Sequence, residues 1–345
     1  MRATVPEGGA PVPHAPARLL VSIVAWKGAD LTIACLGSLE PERDSVPGMR
    51  VIVVDNASPD GAADRVAQAI ADNGWQGWIT LIRAPANLGF AAGNNIAIRA
   101  MLAEPHPAEY VLLLNPDTLV RPGALRILLD FVATRPQVGI AGGRSEDLDT
   151  TAQMCCFRFP NAINEVLGYL AIGALDRVLH RHLTRLGVPA QPREVDWVSG
   201  AFMLVRKAVF DDIGLMDEGY FLYFEEVDFT RRARLAGWGC WHVPQSRIVH
   251  FVGQSSGVTV RDRRPRRLPG YWFESRRRYF VHHHGRRYAA LTDLLVILVY
   301  PLGRLQYLLR RRPARNAPHF LADFIRHSAL FKHDEPAASL RQPPP

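Results

Sequence analysis

The feature that most constrains the fold is a series of short apolar runs separated by helical patterns. The runs are Leu19–Val24, Val51–Val54, Ile79–Ile82, Tyr110–Leu114 and Val138–Ala141. Continuous apolar strands of this length are typical of parallel sheets that helices cover on both faces. The alternation of strand and helix therefore predicts an α/β fold with a mostly parallel, doubly wound sheet.

The segments around these runs carry signals for helix and strand boundaries. Ser58-Pro59 predicts a helix start, because serine is a good N-cap and proline suits the first helical position. Apolar residues at helical spacing predict helices over Asn94–Leu102 and Pro122–Thr134. Further along the chain, Asp196–Arg206 is predicted to form a strand and Val227–Leu235 a helix.

Composition narrows the class of protein and its partners. Hydrophobic residues make up 48% and charged residues 21% of the 345 residues, an ordinary globular balance. The net charge is +8, and basic residues crowd the segment from Arg261 to Arg315. Such a block suggests contact with a membrane surface, a phosphorylated substrate or nucleic acid. The four cysteines lack C-x-x-C spacing, so zinc or redox sites are weakly supported and a reducing compartment is expected.

Polar residues cluster where the predicted strands end. Asp55-Asn56 follows the second run and Asn115-Pro116-Asp117 follows the fourth, while Asn87–Phe90 forms a loop between them. Each motif alone also suits a plain turn or helix cap. Because open α/β sheets bind ligands beyond the carboxyl ends of their strands, the three motifs together predict a binding site on this rim.

An acidic cluster opens the predicted helix near residue 227. Glu225, Glu226 and Asp228 could simply complement the positive end of the helix dipole. Two aromatic residues, Tyr223 and Phe224, precede them and suggest partial desolvation. A carboxylate in such surroundings can have a raised pKa and act as a base, so both interpretations stay open.

Taken in order, these motifs resemble those of family 2 glycosyltransferases. The matching segments are Val51–Ser58, Asn87–Asn95, Leu113–Asp117, Trp197–Ala201 and Tyr223–Asp228. The resemblance covers roughly residues 19–260 and is nearest to the bacterial rhamnosyltransferase-like branch. It implies a GT-A nucleotide-diphospho-sugar transferase fold for this part of the chain.

The resemblance implies where a nucleotide-sugar donor would bind. Asp55 would hydrogen-bond the pyrimidine of the nucleotide. The other residues implied on the donor side are Asn87, Gly89, Asn94, Asn115 and Asp117. A dTDP- or UDP-sugar is the expected donor class, and dTDP-rhamnose is the best single guess.

The resemblance also implies a divalent metal. Asp117 would hold Mg²⁺ or Mn²⁺ at the diphosphate, where a hard cation stabilises the leaving group. His250 resembles the family's downstream metal-site histidine, although a histidine after an apolar pair is as often structural. Asn115 stands where the fullest form of the motif has an aspartate, which removes one anionic ligand.

On the acceptor side, the resemblance points to Glu226 as the general base. Glu225 would support the site or contact the acceptor sugar. Trp197, Gly200 and Asp228 are also implied on this side, with Asp228 more structural in character. The implied reaction is inverting transfer of a sugar to a glycan, plausibly a lipid-linked one.

The expected domain organisation follows from the same observations. Residues 1–17 are predicted to form a disordered leader without the apolar core of a signal peptide, and 333–345 a disordered tail. The GT-A catalytic domain is expected over 18–262, with a donor half at about 18–145 and an acceptor half at about 146–262. Residues 263–332 are predicted to form a basic, amphipathic helical appendage.

The apolar stretch Tyr288–Leu302 has arginines at both ends and is shorter than the roughly 20 residues that span a bilayer. It predicts a helix lying in an anionic membrane surface, on the inner, cytoplasmic face of the cell membrane. The His282–His284 run is expected on a basic surface, and nucleic acid is not expected as a partner.

Two other classes stay open from sequence alone. A sugar-nucleotide nucleotidyltransferase could use a similar sheet, but it needs a glycine-rich phosphate loop after the first strand, and Trp26–Ala29 is too short for one. A non-catalytic protein could use its basic segment to bind nucleic acid, which would show as salt-dependent binding.

Overall fold

The computed structural model describes residues 19–170, 184, 186–251, 266–310 and 317–332. The predicted leader and tail lie outside these ranges. The boundary predicted near residue 262 stays a prediction, because residues 252–265 also lie outside them.

A mixed sheet of nine strands forms the centre of the molecule. The strands of the chain are β1 (Leu19–Ala25), β2 (Arg50–Asp55), β3 (Ile79–Arg83), β4 (Tyr110–Leu114), β5 (Thr118–Val120), β6 (Val138–Glu146), β7 (Cys156–Phe157), β8 (Arg193–Glu194), β9 (Trp197–Val198), β10 (Phe202–Arg206) and β11 (Gly239–His250). The sheet order is β3-β2-β1-β4-β10-β6-β11-β5, with β8 beside β11, while β7 and β9 form a separate ribbon.

The two halves of the sheet differ in direction. Strands β3, β2, β1 and β4 are all parallel, as the apolar runs predicted. Strand β10 is antiparallel to both β4 and β6, and β6 then pairs in parallel with β11. The α/β prediction is confirmed, and the strictly parallel arrangement belongs to the N-terminal half.

Helices cover both faces of this sheet. The helices of the described residues are α1 (Ala29–Leu39), α2 (Ala62–Asp72), α3 (Gly89–Leu102), α4 (Ala124–Ala133), α5 (Ala162–Leu170), α6 (Lys207–Ile213), α7 (Glu225–Leu235), α8 (Gly270–His284), α9 (Arg286–Leu309) and α10 (Phe320–His327). One buried cluster joins the sheet to α1, α2 and α4, and a second joins it to α3, α6 and α7. Leu19, Val21 and Ile23 of β1 belong to the first cluster and Leu20 to the second, so the strand is buried on both faces, with Ser22 as its one polar residue.

Among the boundaries that differ from the predicted ones, three lie close to the polar motifs. Helix α2 begins at Ala62, not after Ser58-Pro59, because the Ser58 hydroxyl accepts a hydrogen bond from the Lys27 N–H at 2.8 Å and is used in the loop. Helix α3 begins at Gly89, five positions before its predicted start. The predicted strand over Asp196–Arg206 is broken between β9 and β10, and the break contains Gly200.

The C-terminal helices pack directly against the acidic helix α7. Tyr279 and Phe280 of α8 are fully buried in a cluster with Tyr220 and Val227. Helix α9 is 24 residues long and extends beyond the predicted apolar stretch at both ends. Within the described ranges it is the one helix long and apolar enough to cross a membrane. The prediction of a stretch too short to span a bilayer therefore underestimated the length of this helix.

Candidate active site

The carboxyl ends of β2 and β4 bring the first predicted residues to one rim of the sheet. Asp55 closes β2, is buried, and accepts a hydrogen bond from the Ser58 N–H at 3.1 Å. Asn115 and Asp117 follow β4, which lies on the other side of β1. The parallel arrangement of these strands places both motifs at the same edge, as predicted.

Asn56 fixes the loop between the two motifs, and sequence reasoning assigned it no role. Its amide nitrogen donates to Asn87 Oδ1 at 3.1 Å and to the Gly89 carbonyl at 3.0 Å. Its amide oxygen accepts from the Leu88 N–H at 3.1 Å. One buried side chain therefore holds Asn87 and Gly89 at the end of β2.

Gly89 allows the loop before α3 to touch the segment that leads to the acidic helix. Its φ is +81°, and a Cβ at this position would lie 2.0 Å from the Phe221 carbonyl oxygen. The next residue, Phe90, donates its N–H to the same oxygen at 2.8 Å. Only glycine fits both the backbone conformation and the space, so this position couples the two sides of the cleft.

The structure does not bring Asn94 to the surface of the cleft. Its side chain is 1% exposed. Asn94 Oδ1 accepts from the Ser22 hydroxyl at 2.7 Å, and its Nδ2 donates to the Phe90 carbonyl at 3.0 Å. These contacts give Asn94 the geometry of a residue that positions the first turn of α3 against β1.

Asp117 and His250 converge from β4 and β11. The pairing of His250 with Thr118 aligns the end of β11 with the residue after Asp117. Asp117 Oδ1 lies 3.4 Å from His250 Nε2. This oxygen is buried and has no hydrogen-bond partner within the described part of the chain. A buried carboxylate oxygen without a partner is costly, so the site suits a ligand that supplies a positive charge.

Asn115 completes this group. Its Nδ2 lies 3.4 Å from His250 Nε2, and its backbone N–H donates to the Ala201 carbonyl at 3.0 Å. A carboxylate, an imidazole and an amide at one point form a donor set that Mg²⁺ or Mn²⁺ accepts. The structure thus brings the predicted metal residues Asp117 and His250 together, with Asn115 beside them.

Glu225 and Glu226 open α7 at the other side of the cleft. The two residues before them, Tyr223 and Phe224, have φ values of 70° and 68°, which non-glycine residues rarely adopt. Such backbone strain is typical of segments that hold functional groups in place. Glu225 is buried, and Glu226 is half-buried with its Oε2 inaccessible to solvent, so the acids that follow the aromatic pair are desolvated.

The two glutamates are strongly perturbed. Burial raises the pKa of Glu226 to about 7. Burial and the charge of its neighbour raise the pKa of Glu225 well above its usual value. Oε2 of each residue is buried without a hydrogen-bond partner among the residues described. A carboxylate with a pKa near neutrality and a free oxygen has the properties of a general base.

Gly200 lies beside Glu226. A Cβ at Gly200 would be 3.7 Å from Glu226 Cβ and 3.3 Å from the Phe90 ring. The glycine in the break between β9 and β10 thus lets the backbone pack closely against Phe90 and Glu226. Trp197, on β9, stacks on Phe157 at 4.2 Å and donates its Nε1–H to the Arg158 carbonyl at 2.9 Å.

Asp228 differs from the two glutamates because each of its carboxylate oxygens has a hydrogen-bond partner. It is fully buried, and His283 Nε2 and Arg232 Nε lie 2.7 Å and 2.8 Å from its two oxygens. Burial raises the pKa of Asp228, but the hydrogen bonds from His283 and Arg232 outweigh this effect and hold the pKa below its usual value. Asp228 therefore has the geometry of a structural residue.

The predicted surface position of the histidine run is wrong for His283, whose side chain is 5% exposed. His282 also lies near this carboxylate, 3.7 Å from Asp228 Oδ1. The ligand atoms of Asp228, His282 and His283 are therefore close enough together to contact one cation. Because Arg232 already neutralises Asp228, a second cation there is disfavoured.

Comparison with known proteins decides the class of this site. Residues 16–272 match the model of the glycosyltransferase-like family 2. The chain belongs to this family. The predicted family and fold are therefore confirmed, and the protein is a glycosyltransferase. Family membership argues against both alternative classes, the nucleotidyltransferase and the non-catalytic binding protein.

Two similar curated proteins are rhamnosyltransferases. The N-acetylglucosaminyl-diphospho-decaprenol L-rhamnosyltransferase of Mycobacterium tuberculosis is 30% identical over 217 residues, 60% of this chain and 68% of the relative. The rhamnosyltransferase WbbL of Escherichia coli is 27% identical over 173 residues, 48% of this chain and 61% of the relative. These matches support the rhamnosyltransferase-like branch of the family.

A solved structure shows the same fold at low sequence identity. The mannosyltransferase PcManGT of Pyrobaculum calidifontis, in complex with GDP-Man and Mn²⁺, aligns with a TM-score of 0.53 and 17% identity. The alignment covers 94% of this chain and 83% of that protein. The GT-A architecture therefore extends over the C-terminal helices as well as the sheet.

Proposed function

We propose that this glycosyltransferase moves L-rhamnose from dTDP-rhamnose to a lipid-linked glycan with inversion at the anomeric carbon, using a divalent cation. One observation carries the proposal: the cleft pairs a buried Asp117 oxygen that lacks a hydrogen-bond partner in the described chain with a glutamate whose pKa is about 7. The choice of sugar and acceptor rests on the names of the rhamnosyltransferase relatives.

The donor nucleotide is proposed to bind at the end of β2. Asp55 accepts a hydrogen bond from the pyrimidine, and Asn87 and Gly89 line the path towards the sugar. The buried Asn56 keeps that loop in place. Asn94 supports α3 from behind in this proposal and does not touch the donor.

Asp117 and His250 are proposed to hold the cation, with the neutral Asn115 beside them. Mg²⁺ or Mn²⁺, when bound, supplies the positive charge that stabilises a departing nucleoside diphosphate. The asparagine contributes no charge of its own, so Asp117 is the one anionic ligand of this group. Its loss is therefore expected to matter more than the loss of either neighbour.

Glu226 is proposed to take the proton of the acceptor hydroxyl on its Oε2. The hydroxyl oxygen then attacks the anomeric carbon from the face opposite the diphosphate. The bond from that carbon to the diphosphate oxygen breaks, and its electron pair leaves with the nucleotide. Burial and the neighbouring charge raise the pKa of Glu225, which favours its neutral form, and in that form its carboxyl can donate a hydrogen bond to the acceptor.

The acceptor is proposed to approach between the β9–β10 break and α7. Gly200 brings the backbone of this break into contact with Glu226, and the Trp197 ring packs nearby against the cluster that contains Val227. Asp228 supports this side through its bonds to Arg232 and His283 without touching the acceptor. The proposed location is the inner face of the cell membrane, where a lipid-linked acceptor and a soluble donor meet.

A donor panel tests this proposal. The full chain is incubated with dTDP-rhamnose, a UDP-sugar or GDP-mannose, a synthetic N-acetylglucosaminyl-diphospho-lipid, and Mg²⁺ or Mn²⁺. We expect transfer from dTDP-rhamnose and an inverted anomeric signal by NMR. Preferred transfer from GDP-mannose, or a retained configuration, would refute the donor or the stereochemistry respectively.

A further inference from the structure

Helix α9 carries apolar side chains on its solvent-facing side as well as on the side packed against the protein. Its inner face buries Val296 and Tyr300 together with the polar residues Thr292 and Asp293. Its outer face carries leucines every three or four residues, each between 42% and 75% exposed: Leu291, Leu294, Leu298, Leu302, Leu305 and Leu309. We call these six residues the leucine stripe.

The inner face is fixed by a buried network of charges. Asp293 Oδ1 lies 2.6 Å from Arg276 Nη1, and its Oδ2 accepts the Ala329 N–H at 2.7 Å. Arg276 also contacts Glu165 at 2.8 Å. Breaking such a buried pair is strongly destabilising. The helix therefore cannot turn its leucines inwards.

Single exposed leucines are ordinary on a protein surface, but a continuous row is not. At 1.5 Å per residue, the stripe is about 27 Å long. Helical spacing keeps the six side chains within one narrow sector of the helix. An apolar surface of this length is typical of a region that another molecule covers.

The charges at the two ends of the leucine stripe indicate which kind of molecule covers it. Arg287 lies one turn before the stripe and Arg310 directly after it, and both are exposed. In a pairing of two copies through this stripe, arginines would meet arginines at both ends, whether the helices ran parallel or antiparallel. An anionic bilayer instead offers negative headgroups to both ends and acyl chains to the leucines.

We infer that the leucine stripe lies in the headgroup and acyl boundary of an anionic bilayer, with α9 parallel to the surface. Crossing the bilayer would carry the charged network on the opposite face of α9 into the hydrocarbon, which is costly. An interfacial position leaves that network inside the protein. The docking itself does not depend on the sugar or the acceptor.

Docking would also orient the active site, and this consequence does rest on the proposed function. Helix α8, which precedes α9, contacts the acidic helix through His283 and Asp228. It also holds the preceding segment through Arg278, whose Nε donates to Asp217 at 2.8 Å, and Ser275, whose hydroxyl donates to the Leu222 carbonyl at 3.1 Å. The α8–α9 pair therefore fixes the cleft at one orientation to the membrane.

Vesicle cosedimentation of the full chain tests the inference. The vesicles contain phosphatidylcholine with or without phosphatidylglycerol. Leu298→Ser with Leu302→Ser should weaken binding to anionic vesicles about a hundredfold, since each half-exposed leucine contributes roughly a factor of ten. The matched control is Leu148→Ser with Leu235→Ser, two exposed leucines outside the stripe, which should bind like the wild type. Thermal melting checks that both variants fold.

Two further measurements test the role of the arginines and the depth of α9 in the bilayer separately. Arg287→Gln with Arg310→Gln should remove the preference for phosphatidylglycerol, and alkaline carbonate should release the bound wild type. Retention in carbonate would show a spanning helix and overturn the inference. Equal binding by the stripe and control variants would also overturn it, as would a dimer in solution that only the stripe variant dissociates. Donor hydrolysis without vesicles should be unchanged in all variants, so failure here is distinct from failure of the proposed transfer.

Discussion

Two aspartate–histidine pairs face this cleft, and they are built in opposite ways. Asp117 Oδ1 lies 3.4 Å from His250 and lacks any hydrogen-bond partner in the described residues. Asp228 contacts His283 at 2.7 Å and Arg232 at 2.8 Å, one on each oxygen. The same residue types therefore make one site with an unmet charge and one without.

This difference teaches that residue identity alone does not mark a ligand site. A buried carboxylate must be paired or must bind a cation. Asp228 meets this condition inside the protein. Its partners oppose the effect of burial and hold its pKa below the usual value. Asp117 does not meet this condition, which is why we propose the metal at the first pair and a structural role for the second.

The largest expected effect is on catalysis at the first pair. Asp117→Asn removes the one anionic ligand and should lower kcat/KM by about 10³-fold or more, because metal stabilisation of a leaving group is worth several kcal/mol. EDTA should abolish wild-type transfer, and Mg²⁺ or Mn²⁺ should restore it. The free energy of unfolding should not fall, because Asp117 Oδ1 has no hydrogen-bond partner among the described residues to lose. Full activity in EDTA would remove the metal from the mechanism.

The second prediction concerns the base. Glu226→Gln keeps the shape of the side chain but cannot accept the proton, so kcat should fall by about 10² to 10⁴. The dissociation constant for the donor should hardly change, because we propose that Asp55 and Asp117, not Glu226, hold it. Wild-type kcat should decline as the pH falls below about 7, the pKa of Glu226, and this limb should vanish in the variant. Glu225→Gln is the matched control. If it loses more activity than Glu226→Gln, the two roles are exchanged.

The rim around the first pair could be predicted from sequence because it depends on local order. A parallel strand that ends in a polar residue places that residue at the ligand edge, and Asp55 and Asp117 both follow this rule. The loop residue Asn56 escaped notice because its partners, Asn87 and Gly89, come from another loop.

The second pair could not be predicted from sequence either, because its two residues lie even further apart in the chain. Asp228 is paired with a histidine 55 residues further along the chain. Its neighbours in sequence gave no sign that His283 would be buried. The burial of Asp293 on the inner face of α9 could not be predicted either, since it depends on Arg276 in another helix.

The third prediction reverses the first. Asp228→Asn breaks a buried ion pair and should lower the free energy of unfolding by about 3 kcal/mol in urea denaturation. The remaining folded enzyme should keep donor binding and most of its turnover at low temperature. Asp117→Asn, in the same assay, should show the opposite pattern. If Asp228→Asn lost turnover without losing stability, Asp228 would belong to the acceptor site after all.

The smallest effect concerns the pH dependence of stability, and it separates acids that lie two residues apart on one helix. The pKa of Glu226 is raised to about 7, so between its unfolded pKa of about 4.5 and pH 7 the folded state binds the proton more tightly than the unfolded chain. The folded state is therefore favoured at low pH, and stability falls as the pH rises through this window. Asp228 acts in the other direction, because its lowered pKa gives stability that is lost only as the pH falls below about 4.

Glu226→Gln should thus match the wild type more closely at about pH 5 and exceed its free energy of unfolding by about 1 to 3 kcal/mol at about pH 8. Urea denaturation at the two pH values measures this difference, with Asp228→Asn as the comparison that should be destabilised at both. If the Glu226→Gln difference were the same at the two pH values, the glutamate would be solvated like an ordinary surface acid, and the contrast between it and Asp228 would fail.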